Sequence, residues 1–275
     1  MRLLRFESHD FRSLCEPVFE PAPGINIIRG DNGQGKTSLI EAIFFAATSK
    51  SHRTSADAEM IAHGTMGFRL KAEAERSDRN VTIEAIVWQG AKRFRVNGIP
   101  QARLSDVLGK IHVVMFSPED IILVKGTAAN RRKFLDMELS QIDVPYLHAL
   151  QNYRQALKQR NELLRAHKVD ETLLDVWDEQ LVQHGEAIMQ GRQAFLAQLG
   201  ALAKDAYAQI TGGERLDVTY QPDVPKDLKA ALTKARPSDI RRQMTTHGPH
   251  RDDFDLNVNR QLARSFASQG QQKAA

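Results

Sequence analysis

The chain has 275 residues, a formal net charge of +4 and a hydrophobic content of 41%, values that suit an ordinary globular protein of one large domain or two smaller ones. Its one cysteine, Cys15, excludes an internal disulfide framework and a multi-cysteine zinc site, and we expect it to be a small buried residue. No apolar run is long enough for a membrane helix and the charged residues 1–7 lack a signal core, so the sequence predicts a cytoplasmic protein without a membrane partner.

The first region, residues 1–129, has the texture of strands separated by turns. Residues 81–87 alternate like a strand, and residues 93–96 lead into Asn97-Gly98, a dipeptide typical of a two-residue hairpin turn. Residues 111–116 form a short apolar run, which predicts a strand buried on both faces.

The second region, residues 130–213, changes to a helical period. One predicted stripe consists of Tyr146, Leu150, Tyr153, Leu157 and Leu164. A second repeats every seven residues, at Leu174, Leu181, Ile188, Phe195 and Leu202. A break near residues 169–172 and an end at Gly212-Gly213 predict an antiparallel hairpin of two long helices that bury both stripes.

The third region, residues 214–275, returns to mixed texture, with predicted strands at 216–220 and 254–258. The order of strands, a helical insertion and further strands predicts an α/β core whose sheet is interrupted by a helical lobe. We therefore expect three segments, at residues 1–129, 130–213 and 214–275.

Residues 30–37 match the phosphate-loop pattern G-x-x-x-x-G-K-[ST], between a predicted strand at 25–29 and a predicted helix. Such a loop turns backbone N–H groups toward a phosphate, while Lys36 supplies a charge for the β and γ phosphates and the Thr37 hydroxyl ligates Mg²⁺. The predicted cofactors are therefore ATP and Mg²⁺. The predicted nucleotide-binding residues are Gly30, Asp31, Asn32, Gly33, Gln34, Gly35, Lys36, Thr37 and Ser38.

A phosphate loop alone leaves the function open. Glu119 and Asp120 follow the apolar run at 111–116, and they could be the acidic partners of a monomeric P-loop kinase or another small-molecule NTPase. An ABC transporter ATPase is a further alternative, and it would need a membrane partner. His247 and His250 lack an obvious third metal ligand, so we expect their segment to be a structural loop near the nucleotide.

Besides the phosphate loop, the chain carries a set of further motifs, at residues 3–6 with 11–14, 51–54, 116–120 with 124–126, 131–136 and 246–253. Together these motifs resemble the bacterial RecF family of DNA replication and repair proteins. Near the end, Ser268-Gln269-Gly270-Gln271-Gln272 resembles the signature motif of ABC ATPases, in the variant that this family uses.

The resemblance implies an ABC/SMC-type P-loop ATPase head with a mixed sheet and an inserted α-helical lobe. It also implies an ATP-dependent homodimer on double-stranded and single-stranded, gapped DNA, at the nucleoid, acting in recombinational repair and replication restart with RecR and RecO. Ser268, Gln269, Gly270 and Gln271 would then read the γ-phosphate of the partner's ATP. Glu119 and Asp120 would belong to the region of the Q-loop and not to the catalytic acids.

The family continues past the signature motif into a strand that carries the Mg²⁺-binding aspartate and the catalytic glutamate. Here three residues follow Gln272, so the sequence reads as C-terminally truncated relative to that family. No catalytic residue can be assigned in this chain. We therefore expect inefficient ATP hydrolysis.

A DNA-dependent switch also needs cations that face DNA phosphates, because backbone charge supplies most non-specific affinity. The candidates are Arg53, Lys92, Arg93, Arg95, Arg131, Arg132 and Lys133. For any one of them, the alternative is an ordinary solvated surface charge.

Overall fold

The structure is a computed structural model that describes residues 1–14, 16–77 and 79–275. Cys15, which we expected to be buried, lies outside the described residues. The chain divides into two compact units, Met1–Met115 and Phe116–Ala275. Within the described ranges, no helix combines the length and the apolar character that crossing a bilayer requires.

The first unit is built on a six-stranded antiparallel sheet in the order β2-β1-β3-β4-β5-β6. Its strands are β1 (Arg2–His9), β2 (Val18–Phe19), β3 (Gly67–Glu75), β4 (Asn80–Trp88), β5 (Ala91–Val96) and β6 (Ile99–Gln101). The predicted hairpin turn is confirmed, since Asn97 (φ 51°) and Gly98 (φ 79°) join β5 to β6 with the positive φ values that such turns require.

One face of this sheet is apolar and is covered by helix α1 (Lys36–Thr48). Phe45 of α1 meets Phe68 of β3 edge to face, with ring centroids 5.3 Å apart, and Phe11 meets Phe68 in the same way at 5.0 Å. Alternation along the strands sends charged residues to the other face. The core therefore fixes α1, and with it the loop that precedes the helix.

The strands predicted at residues 25–29 and 111–116 are absent, and both predictions were wrong for the described structure. Ile25 and Ile27 are 92% and 86% exposed, whereas Ile111 packs into the core and Phe116 is 82% exposed. A strand needs a neighbouring backbone to complete its hydrogen-bond ladder. No described segment pairs with either stretch, so apolar composition alone does not make them strands.

The second unit is mainly helical. Its helices are α2 (Ile122–Lys125), α3 (Ala128–Ile142), α4 (Val144–Leu164), α5 (Glu171–Thr211), α6 (Leu228–Arg242), α7 (Ala263–Phe266) and α8 (Gln269–Ala274). Strands β7 (Leu216–Gln221), β8 (Asp253–Val258) and β9 (Gln261–Leu262) form an antiparallel sheet in that order. The predicted hairpin of α4 and α5 is confirmed: Asp170 caps the start of α5, and Gly212 ends it in the left-handed conformation.

The predicted seven-residue stripe holds for only part of α5. Leu174, Leu181 and Ile188 are buried, but Leu202 is 71% exposed. A straight α-helix drifts by about 20° per heptad from a strict seven-residue repeat, so the fifth member has rotated out of the interface. Leu196 and Tyr207 are buried further along the helix instead.

Two buried arginines lie in the apolar stripes of the hairpin. Arg160 of α4 donates to Asp178 at 2.6 Å and to Asp239 at 2.7 Å. Arg192 of α5 donates to Asp136 at 2.9 Å and to Asp252 at 3.0 Å. The two arginines are 0% and 2% exposed, so the second unit is joined by ion pairs that water does not screen.

The segment with both histidines is part of the same core. His250 Nδ1 lies 2.7 Å from the Tyr153 hydroxyl, and its Nε2 lies 3.1 Å from the Thr245 carbonyl oxygen. Burial lowers the pKa of His250 to about 4, so the ring is neutral at neutral pH. In the described part of the chain, no group of three His, Cys, Asp or Glu side chains could hold a metal ion. The observed contacts of His250 are thus structural contacts within the second unit.

Candidate nucleotide-binding site

The glycine-rich loop at residues 30–37 runs directly into the first turn of α1. Gly33 (φ 84°) and Gly35 (φ 83°) adopt the left-handed conformation that favours glycine. A Cβ on Gly35 would lie 2.9 Å from Leu14 Cδ2, so a larger residue would also have to displace the end of that side chain. The positive φ values of its glycines therefore set the shape of the loop.

Backbone N–H groups are the main donors that this loop offers. Among the described residues, no backbone carbonyl accepts from the N–H groups of residues 33–38, and the first such bond runs from Leu39 to Gly35, at 2.9 Å. The first N–H groups of any helix lack intrahelical partners, and they carry the positive end of the helix dipole. The chain thus presents a cluster of free donors where a phosphate would bind.

Lys36 is already directed into the loop. Its ammonium donates to the carbonyl oxygens of Gly30 at 2.8 Å and Asp31 at 2.7 Å. The Gln34 side chain accepts from the Asp31 N–H at 3.0 Å and so crosses the loop as well. An entering phosphate would offer Lys36 a full negative charge in place of neutral carbonyls, which makes the exchange favourable.

Thr37 stands at the position that the phosphate-loop pattern gives to a metal-ligating hydroxyl. Its side chain is exposed on the first turn of α1, whereas its neighbour Ser38 is buried. A hydroxyl oxygen is the hard ligand type that Mg²⁺ prefers. Thr37 therefore fits the metal position of the phosphate-loop pattern.

Glu41, one turn further along α1, was not among the predicted site residues. Its carboxylate is fully buried and accepts from Arg12 at 2.6 and 2.8 Å and from the Ser51 hydroxyl at 2.5 Å. Arg53 adds a contact at 3.4 Å. Burial alone would raise the pKa of Glu41, but the hydrogen bonds from Arg12 and Ser51 outweigh it and hold that pKa below its ordinary value. Glu41 thus ties α1 to the segments on either side of the loop.

Replacing Glu41 with glutamine should lower the free energy of unfolding by about 2 kcal/mol at neutral pH, since charge-assisted hydrogen bonds are lost. The folded-state pKa lies below the unfolded value of about 4.3, so the charged carboxylate stabilises the fold above that pH. This stabilisation disappears as the pH falls through the folded-state pKa. Urea unfolding across the acid range should show the difference between wild type and variant shrinking toward low pH.

The matched control for that experiment is Glu59→Gln, because the Glu59 side chain is exposed on the same unit. It should leave stability almost unchanged. An equal loss in both variants, or a Glu41→Gln difference that is independent of pH, would contradict the assigned role of the buried carboxylate.

The signature-like motif starts at the first turn of α8. Ser268 Oγ accepts from the Gln271 N–H at 3.2 Å, and Gln271 Oε1 accepts from the Ser268 N–H at 2.8 Å, which forms a capping box. Gln271 also donates to Glu214 at 2.6 Å. Ser268, Gln269 and Gly270 are exposed. Because Ser268 Oγ acts only as an acceptor in this box, its proton remains available for an external anion.

Two of the predicted DNA-contacting cations are committed elsewhere. Arg131 is 3% exposed and donates two hydrogen bonds to Asp253, at 2.6 and 2.9 Å. It does not face solvent, so its prediction as a DNA contact was wrong for this structure. Lys92 pairs with Asp57 at 2.9 Å and lies 4.8 Å above the Phe45 ring. Both side chains have structural partners that an external phosphate would have to displace.

The other five predicted DNA contacts differ in how free they are. Arg132 is partly buried and donates to the Asp252 carbonyl at 2.6 Å, while Arg53 is about half exposed beside Glu41. Arg95 reaches Glu84 at 3.4 Å. Arg93 and Lys133 are exposed. The structure thus brings Arg93 and Arg95 together on one face of β5, places Arg132 and Lys133 side by side on α3, and leaves Arg53 in the segment that follows α1.

Asp120, a candidate acid for a kinase-like reaction, has a local structural partner. Its carboxylate accepts from the Ser117 N–H at 2.6 Å and closes a capping box at the start of a 3-10 turn, Pro118–Ile121. This is the ordinary role of an acidic residue at a helix start. The geometry therefore gives no support to a catalytic acid at Asp120.

A glycine loop with free N–H groups, opening a helix that packs on a sheet, defines the class of P-loop nucleotide-binding ATPase heads. The model of the family "AAA domain" matches residues 6–190. The curated "DNA replication and repair protein RecF" of Lactococcus lactis subsp. cremoris (strain SK11) is 38% identical over 99% of this chain and 77% of its own length. That of Lachnospira eligens is 40% identical, over 91% of this chain and 71% of its own length. The chain belongs to the RecF family.

Solved structures agree with this assignment. One described as "recombination mediator protein RecF-ATP in RecFOR pathway" has a TM-score of 0.93 at 32% identity, covering 98% of this chain and 78% of its own. An Smc head bound to a winged-helix domain of ScpA has a TM-score of 0.54 at 15% identity, over 100% of this chain and 73% of its own, and shows the fold alone. The predicted fold class, an ABC/SMC-type head with a helical lobe, is confirmed.

Proposed function

We propose that this chain binds ATP at residues 30–38 and acts as an ATP-dependent, DNA-binding recombination mediator at single-strand gaps. The observation that carries the proposal is the cluster of free N–H groups around Lys36, in a chain of the RecF family. The ATP named for a related structure at 32% identity supports the choice of nucleotide.

In this proposal the residues of the loop divide the work of holding the triphosphate. The free N–H groups of residues 33–38 bind the phosphate oxygens, and Lys36 exchanges its two carbonyl partners for the β and γ phosphates. Thr37 would hold Mg²⁺, which shields phosphate charge when bound. Glu41 keeps α1 in place through Arg12 and Ser51, so the donors are positioned before the nucleotide arrives.

The exposed signature residues support a homodimer in which each chain completes the site of the other. Ser268 would donate its hydroxyl proton to the γ-phosphate of the partner's ATP, and Gly270 would allow close approach of the backbone. Gln271 holds the motif to Glu214, and Gln269 lies between the two. ATP would then join two heads, and its hydrolysis would release them. By the same family membership we propose RecR and RecO as partners and the nucleoid as the place of action.

We propose that DNA contacts the exposed members of the predicted cation set. The exposed members are Arg53, Arg93, Arg95 and Lys133, and the partly buried Arg132 lies beside Lys133 on α3. Each contact to a phosphate releases condensed counterions, so binding to duplex DNA should weaken steeply as the salt concentration rises.

The test is fluorescence anisotropy of a labelled gapped duplex with and without Mg-ATP, using wild type beside Lys36→Met. We expect ATP to tighten DNA binding by roughly tenfold or more in wild type, within the usual range of coupling energies, and not in the variant. Size-exclusion chromatography with light scattering should show ATP-dependent dimers of wild type only. DNA binding that is identical with and without ATP would overturn the proposed switch, as would a monomer at saturating ATP.

A further inference from the structure

The outer face of the sheet in the first unit carries a groove that the ATP site does not use. Its volume is about 460 Å³. Strand alternation directs Ile86 and Trp88 of β4 to this face, opposite Arg93 and Ala91 of β5. The groove is lined mainly by Ile86, Trp88, Ala91, Arg93, Arg95 and Pro100.

Trp88 is held as a platform at one end of this groove. It stands opposite Gly67 of β3 in the strand register. A Cβ on Gly67 would lie 3.0 Å from Trp88 Cε3, so the indole packs directly against the glycine backbone. The side chain is nevertheless 49% exposed. The indole is therefore supported by the backbone of β3 and still accessible to solvent. This support lowers the entropic cost of stacking a planar group on the ring.

The charges around the platform favour an anionic ligand. Arg69 of β3 donates to Glu84 at 2.5 Å, and Arg95 reaches the same carboxylate at 3.4 Å. In the described ranges no acidic side chain pairs with Arg93. Arg69 and Arg95 thus share the one carboxylate of Glu84, and Arg93 adds a third guanidinium group without an acidic partner. The formal charge of these four side chains is +2 beside an exposed indole.

We infer that this groove, the Trp88 groove, binds an unpaired stretch of DNA, with a base stacked on Trp88 and backbone phosphates on Arg93 and Arg95. Stacking on an aromatic side chain is tolerant of sequence because every base has a π face. In a duplex the base faces are covered by neighbouring pairs, so an open platform selects a single strand. The inference rests on the proposed function, because it gives the single-stranded part of a gap its place on the protein.

The test uses the tryptophan itself as the reporter. The chain has two tryptophans, Trp88 and Trp177. In Trp177→Phe, where Trp88 is the remaining tryptophan, oligothymidylate should quench the intrinsic fluorescence in a saturable manner. The matched control is Trp88→Phe, in which Trp177 remains and no quenching is expected.

Affinities complete the test. Measured by anisotropy, Trp88→Ala should weaken binding of the labelled oligothymidylate by about tenfold, and Trp88→Phe by much less. Arg93→Gln should make the slope of log affinity against log salt concentration shallower, by the amount that about one phosphate contact contributes. Binding of a fully paired duplex should stay within about twofold of wild type for the Trp88 variants, which also shows that they fold.

Each outcome decides between the two proposals. If wild type binds neither duplex nor oligothymidylate, the proposed function fails, and this inference fails with it. If wild type binds DNA but Trp88 is not quenched and Trp88→Ala binds oligothymidylate normally, only this inference is overturned. Quenching by an acidic peptide but not by oligothymidylate would also overturn it, because the groove would then serve a protein partner.

Discussion

Replacing Lys36 with methionine should weaken ATP binding by roughly a hundredfold or more. Methionine has a similar length and a similar apolar stem, but it lacks the ammonium group. That group donates to two loop carbonyls here and would donate to the phosphates of bound ATP. Hydrogen bonds to charged groups each contribute about 1.5–3 kcal/mol, and Lys36 makes two to the loop in the absence of ATP. Titration with a fluorescent ATP analogue measures the loss, and thermal unfolding without nucleotide shows whether the fold is intact.

The matched control is Lys234→Met, since Lys234 is exposed on α6 of the second unit. It should bind the analogue like wild type. ATP affinity of Lys36→Met within a few-fold of wild type would refute the assignment of the phosphate site to this loop. Equal losses in both variants would instead point to an effect of net charge.

Replacing Arg160 with methionine should cost about 3–5 kcal/mol of stability, the largest loss that we expect from a single substitution in this chain. Arg160 is fully buried, and its removal leaves Asp239, also fully buried, without a cation. Asp178 would keep Arg236, which lies 2.7 Å away, so most of the cost falls on Asp239. Urea unfolding followed by circular dichroism measures the change.

Two controls separate the buried charge from a loss of packing. Arg236→Met, at a side chain that is 18% exposed, should cost clearly less than Arg160→Met. Adding Asp239→Asn to Arg160→Met should recover part of the stability, because the orphaned carboxylate is then gone. A double variant no more stable than Arg160→Met would show that packing, and not charge, dominates at this position.

The helical lobe illustrates what a sequence pattern can predict. The stripe of α4, the first three members of the stripe of α5 and the glycine at the end of α5 depend on residues close together in the sequence, and the structure has them where the sequence predicts them. The strands at residues 25–29 and 111–116 failed because pairing depends on a distant backbone, which apolar composition does not reveal. The buried arginines are visible in the sequence as a charged residue at a core position of each apolar stripe, Arg160 in α4 and Arg192 in α5. Such a position predicts a buried ion pair, and this prediction was not made.

The loop was the most predictable part of the candidate site, because its glycines and Lys36 form a pattern of fixed spacing within eight consecutive residues. Glu41 was missed because its partners Arg12 and Ser51 lie 29 and 10 residues away in the sequence, and only the fold brings them together. The burial of Arg131 was hidden for the same reason, as Asp253 is 122 residues distant. Surface charge and buried ion pair look alike in a sequence until their neighbours are known.

The pairing of β1 with β3 has a consequence for how the chain folds. Arg2 of β1 faces Glu75 of β3, so the first strand can join its sheet only after most of the first unit has been synthesised. In contrast, α4 and α5 are adjacent in sequence and can meet by closing a short turn. Contacts between near neighbours form faster than contacts that close a long loop. We therefore expect the helical hairpin to form faster than the sheet that carries α1, although the hairpin leaves the ribosome later.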